Sequence, residues 1–153
     1  MKAIEVFLHV NDLRNRFFPA YKKLTEEQLE WKTEGYKNNI SFLLRHTAQA
    51  EDWFLRGVIQ QEKMMPRRKR ELDTRDKLFD YLEWTRENTL SFLESQDISI
   101  LQETRQLPEG YRGEPIENPT IGWILHRVFQ HEVYHLGQVN LMMRLQGIEP
   151  PNM

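Results

Sequence analysis

Four stretches of the chain repeat apolar residues at intervals of three and four, the spacing of one face of an α-helix. The first covers Lys2 to about Phe18, with Val6, Val10, Leu13 and Phe17 on one stripe and Pro19 as the expected stop. The second begins near Asn38 or Asn39 and reaches about Gln61, with Leu43, His46, Ala50 and Trp53 in line. The third opens behind Asp73 or Thr74, carries Leu78, Leu82, Thr85 and Phe92, and ends near Asp97. In the fourth, Asn118 is the expected N-cap and Pro119 the first helical residue, while Gly147, Pro150 and Pro151 close it.

The connectors carry weaker signals. Thr25-Glu26-Glu27-Gln28 resembles a capping box and predicts a short helical turn. Ile98-Ser99-Ile100 alternates as a short strand would, and Leu107-Pro108-Glu109-Gly110 predicts a loop. The basic run Arg67-Arg68-Lys69-Arg70 reads as a solvated loop rather than a phosphate-binding patch, because no aromatic residue is interleaved with it. No internal repeat is present. The expected architecture is all-α, an antiparallel four-helix bundle forming a single domain over residues 1–153.

Composition narrows the chemistry. A chain of 153 residues buries roughly 70% of its unfolded surface without help from disulfides or a structural metal. Its 21 basic and 23 acidic residues leave a net charge of −2, without the basic excess of a general nucleic-acid or membrane binder. No apolar run has the length of a signal-peptide core or a membrane span, and the expected location is the cytoplasm. The chain has no cysteine, which excludes disulfides, thiolate metal ligands and a cysteine nucleophile.

The candidate chemistry lies in the histidines. His131 and His135 are four residues apart and project from one side of the fourth helix, on the stripe of Ile124, Val128, Met142 and Leu145. Two imidazoles on an apolar seam need partners for their ring nitrogens, and a metal ion is one such partner. His46 stands on the apolar stripe of another helix, beside the small Ala50. Three histidines from two helices would form a facial nitrogen set with positions left for water or substrate. His126 is about 140° around the helix from His131 and cannot share the ion, and His9 reads as structural or solvent-facing.

His131-Glu132-Val133-Tyr134-His135 also fits the H-E-x-x-H pattern of zinc proteases, with Glu132 as general base. The surroundings argue against it: Gly137 follows the second histidine by two residues, no later histidine exists, and Glu149 falls beyond the helix end. Glu132 is the one candidate for a catalytic group. It and Gln138 flank the ligand stripe as hydrogen-bond acceptors or proton relays, set against the simpler reading of inter-helix hydrogen bonds. Trp53, Trp84, Trp123 and Tyr134 either line a pocket or, more simply, pack in the core.

These features resemble the DinB/YfiT-like superfamily of metal-dependent proteins. The resemblance is carried by Ile40 to His46 with Glu51 and Trp53, by Ile121-Gly122-Trp123-Ile124-Leu125-His126, and by His131 to Val139, which contains the pair Gly137-Gln138. Leu24 to Trp31 is similar to the family's connector, and Leu136 departs from it where many members carry a basic residue, a change expected at the pocket rim. By position, the family's ligands fall on His46, His131 and His135. The resemblance further implies an up-down-down-up bundle, a homodimer, and in some members transfer of a low-molecular-weight thiol such as bacillithiol, mycothiol or glutathione to an electrophile.

The expected cofactor is a divalent metal, zinc or nickel first, with iron or manganese as alternatives. The expected partner is a small-molecule substrate, with no nucleic acid and no membrane. The expected function is metal-assisted activation of water or a thiol cosubstrate, for transfer or hydrolysis on that small molecule. The alternative is a non-catalytic, dimeric stress protein that binds a metal or ligand, and a third reading makes all three histidines structural.

Overall fold

A computed structural model describes residues 1–109, 111 and 116–153. Among these, the ordered elements are helical, and the only β-type pairings are isolated bridges between Lys2 and Asp97 and between Thr104 and Thr120. The α-helices are α1 (Asp12–Tyr21), α2 (Glu26–Glu30), α3 (Ile40–Asp52), α4 (Arg75–Ser95) and α5 (Ile121–Leu145), with 3-10 turns at Ala3–Val6, Lys69–Glu71 and Ile98–Gln102. α3 packs against both α4 and α5.

Several boundaries differ from the sequence expectation. The first segment breaks between Val6 and Asp12, and Val6 is half exposed; the buried face of α1 is Arg14, Phe17, Phe18 and Tyr21. Pro19 lies inside α1 instead of ending it. It removes one amide bond, to the carbonyl of exposed Asn15, and burial of Phe18 and Tyr21 outweighs that local cost. Ile98–Gln102 is a 3-10 turn rather than a strand, because the Asp97 carboxylate accepts the Ser99 amide at 3.0 Å and turns the chain. At α5 the cap is Thr120, whose hydroxyl accepts from the Trp123 amide at 3.1 Å. Asn118 and Pro119 belong to the preceding connector, where the Pro119 carbonyl accepts from the Arg105 amide. Gly110, part of the expected loop, lies outside the described residues.

Other signals hold. Thr25 and Gln28 form the reciprocal capping box, Asn39 caps α3 and Thr74 caps α4. Gly147, at φ 79°, closes α5 as the Ile148 amide bonds back to the Met143 carbonyl. α3 continues without a break into a π-helical segment, Trp53–Ile59, in which the Gln60 amide reaches the Leu55 carbonyl five residues back.

The apolar core is divided. One cluster gathers Phe17, Phe18, Leu43, Leu44, Leu82 and Leu136; the other gathers Val58, Ile59, Leu93, Ile121, Ile124 and Val128. On α3, α4 and α5 the two clusters are separated by buried polar residues: Glu51 and Asp52, then Thr85, Arg86 and Thr89, then Glu132. Arg14 of α1 joins this layer. The candidate site sits beside it.

Candidate metal centre

α3 brings His46, and α5 brings His131 and His135, to one point. The Nε2 atoms of His46 and His131 lie 3.0 Å apart, and those of His135 and His131 lie 2.9 Å apart. Among the described residues these three form a group of side chains that could hold a metal ion, with ligand atoms all within 4.8 Å of one another. Nitrogens held about 2.0–2.1 Å from a zinc-like ion would lie about 2.9–3.4 Å apart, at right or tetrahedral angles. The two short separations, in a group this compact, fit three ligands on one ion.

The protons fit as well. The Nδ1–H of His135 donates to Gln138 Oε1 at 2.6 Å, one turn along α5, and this tautomer directs a lone pair from Nε2 toward the other two rings. Burial, with smaller contributions from His135, His46 and Arg127, pushes the His131 pKa down to about 4. Burial and His135 also lower that of His46. Both rings are therefore neutral near pH 7, as metal ligands must be. Phe42 stacks on His46 at 5.7 Å with the ring planes 7° apart and limits its rotation.

The cluster opens into a cavity of about 1180 Å³. Its walls include Val10, Leu13, Trp53, Phe54, Phe129 and Tyr134. The π-helical segment supplies the first of the aromatics: it begins at Trp53, seven residues after His46 and next to Phe54. Tyr111 stacks against Trp53 at 6.4 Å. His9 and His126 stand at this cavity but outside the triad; His9 is exposed and pairs with Asp12 at 3.3 Å. Trp84 and Trp123 pack against the two core clusters. Leu136 is buried in the core rather than at the rim, so the family departure there alters packing, not access.

Glu132 borders the same cavity, but its carboxylate is held by two arginines. Its carboxylate accepts from Arg14 Nε at 2.6 Å and from Arg86 Nη2 at 2.7 Å. Glu51 accepts from the same two arginines, at 3.0 Å from Arg14 and 2.8 Å from Arg86 Nε. All four residues are buried, one from each of α1, α3, α4 and α5. Burial alone would raise the Glu51 pKa, but the charges of Arg86 and Arg14 and the hydrogen bonds hold it below the ordinary carboxylate range. Both oxygens of Glu132 are thus engaged by arginines, as an inter-helix pairing role requires.

Arg14 and Arg86 were not singled out from the sequence, although a signal existed. Each of the four charges occupies a place where the helical stripe calls for an apolar residue: Leu82-Arg86-Thr89-Leu93 on α4, and Val128-Glu132-Leu136 on α5.

The decisive comparison is with a family model: residues 9–139 match that of the DinB superfamily. The chain belongs to the DinB superfamily. No curated protein gives a significant match. The matched region contains all three histidines, both arginines of the buried network and the π-helical segment, so the superfamily membership covers the whole site.

Proposed function

We propose that this DinB-superfamily protein is a metal-dependent enzyme that acts on a small molecule, with His46, His131 and His135 as the ligands of one divalent ion. The observation that carries the reading is the convergence of three imidazole Nε2 atoms at the wall of a large apolar cavity. A cation shared by the three rings satisfies all three nitrogens at once, whereas a hydrogen bond between two rings satisfies only that pair. The ion, when bound, supplies Lewis acidity that lowers the pKa of a water or thiol at its open positions. Around it, His135 is oriented by Gln138, His46 by Phe42, and the aromatic wall holds the body of the substrate away from water.

The reaction is transfer of a low-molecular-weight thiol to an electrophile, or hydrolysis. The chain has no cysteine, so a thiol must arrive as cosubstrate. The base is not Glu132; the activated nucleophile gives its proton to solvent or substrate. The ion is zinc or nickel, with iron or manganese as alternatives. The location is cytoplasmic, and the single domain is an up-down-down-up bundle of α1, α3, α4 and α5. Supporting that order, α3 and α4 run from the first core cluster to the second, while α5 runs back and α1 leads toward the first. A homodimer is proposed from the exposed Tyr134, Leu141 and Leu145 along α5.

The test has two stages. Elemental analysis of untagged protein should find about one divalent ion per chain, lost in His46→Ala and His135→Ala variants that keep their helical spectrum. Turnover of a thiol-plus-electrophile pair should then vanish in His135→Ala. Metal binding without any turnover would leave a non-catalytic binding protein; no metal after incubation with zinc or nickel would overturn the site itself.

A further inference from the structure

The cavity that holds the triad has a corner built of aromatic rings. Trp53, Phe54 and Tyr111 line it and pack on one another. The planes of Trp53 and Tyr111 lie within 15° of parallel, with 6.4 Å between centroids. Phe54 stands edge-on to both, at 72° to Trp53 and 83° to Tyr111. Such a corner offers an incoming ring both a face to stack on and an edge to meet, the two arrangements that aromatic pairs prefer. All three rings are half-buried, so their neighbours cover one part and the rest borders the cavity.

The position of Trp53 is set by the chain itself. Gly57 follows it by four residues in the π-helical segment, and a Cβ there would stand 3.3 Å from Trp53 Cδ1 and 3.6 Å from Nε1. The five-membered ring of the indole therefore rests against its own helix, and the corner is formed before any ligand arrives.

The polar groups of the same cavity are engaged or stand at the surface. Glu132, the one carboxylate among its described lining residues, accepts from arginines at both oxygens. Gln49 donates its amide to the Arg67 carbonyl at 2.7 Å, and His9 pairs with Asp12. His126, Arg127 and Gln130 are exposed. A cationic ligand would meet Arg127 and find no free carboxylate among these residues, and a strongly polar one would lose water without gaining partners. A neutral ring loses little and gains apolar contact.

We propose that the corner of Trp53, Phe54 and Tyr111 binds a neutral aromatic ring, and that the small molecule acted on at the triad is an aryl compound. Triad and corner line one cavity, so a ring seated in the corner leaves room for its substituent to reach the histidines. The role as substrate rests on the proposed metal chemistry; the binding of the ring does not.

The experiment is isothermal titration calorimetry with three bicyclic probes: 2-naphthol, its saturated counterpart decahydro-2-naphthol, and the cationic N-methylquinolinium. Each is titrated into the chain loaded with zinc and into the chain treated with a chelator, and metal content is measured on the same samples. 2-Naphthol should bind with a Kd of about 1 mM or tighter, with and without metal. The saturated alcohol and the quinolinium should each bind at least about fivefold more weakly. Trp53→Leu and Tyr111→Leu should each weaken 2-naphthol by about two- to tenfold. Tyr111 lies outside the helices, so its replacement leaves the helical core in place. Equal affinity for the saturated alcohol, tighter binding of the quinolinium, or undiminished affinity in both variants overturns the proposal. Absence of 2-naphthol binding also overturns it, and in a metal-loaded chain leaves the metal reading standing. Binding by a chain that takes up no metal supports the ring site and overturns the metal reading alone.

Discussion

Gln138 Oε1 lies 2.6 Å from Nδ1 of His135, three residues earlier on the same helix. That contact selects which ring nitrogen carries the proton, and so which one is free to bind an ion. Gln138→Ala should weaken metal affinity by about 10- to 100-fold with little change in helical content. Gln138→Glu, which keeps an acceptor, should retain most of it. Competition with a chromophoric chelator measures both.

Glu132 separates a catalytic from a structural role. If its task is to pair with Arg14 and Arg86, Glu132→Gln should destabilise the fold by about 3 kcal/mol or more. At this chain length the midpoint should fall by roughly 2–4 °C per kcal/mol. Adding Arg86→Gln to that variant should cost less than Arg86→Gln alone, because the two share one network. Unchanged stability with lost turnover would favour the general-base role instead. Urea unfolding of the four proteins in the cycle decides the matter.

Acid should act through Glu51. Its pKa is depressed in the folded chain, so between the folded and unfolded values the unfolded state binds more protons, and stability rises with pH. The contribution is complete above the ordinary glutamate value of about 4.3 and is lost as pH falls below it toward the folded value. The urea midpoint of the parent should therefore drop below about pH 4, whereas Glu51→Gln should start lower and show a shallower acid slope. Midpoints measured from pH 2.5 to 7 (about the range of interest) give both slopes.

Chelation should lower the melting midpoint if the triad holds an ion, since an ion bound to the folded state alone stabilises it by mass action. His131→Ala should melt at the same temperature with and without the chelator. Differential scanning calorimetry with and without added zinc or nickel provides the comparison, and an equal chelator effect in the variant would place the ion elsewhere.

The helices and the triad were legible in the sequence because both follow from spacing. His131 and His135 had to share a face, and His46 was marked by its place on an apolar stripe. What sequence missed arises where tertiary contacts override local signals. Pro19 reads as a stop until Phe18 and Tyr21 are seen to hold the next turn against the core. Asn118 and Pro119 make a good helix start, but the Pro119 carbonyl is committed to Arg105 and the helix waits for Thr120. The π-helical segment had no warning in the apolar pattern, because a change of pitch shifts which residues face inward without changing their types. Glu132 was misleading in its motif context and informative on its stripe, where a charge among valine and leucine positions signals a buried partner.

Apolar surfaces tolerate sliding: a helix displaced by one turn, about 5.4 Å, again sets leucine against leucine. The charged layer between the two clusters does not, since the same slip would part Arg14 and Arg86 from both carboxylates at once. The layer thus fixes a single alignment of four helices, and with it the height at which His46 meets His131 and His135. Replacing all four charges with apolar residues of similar volume should leave a compact helical protein. Its amide NMR spectrum should broaden as alternative alignments interconvert, with its histidines no longer meeting at one level.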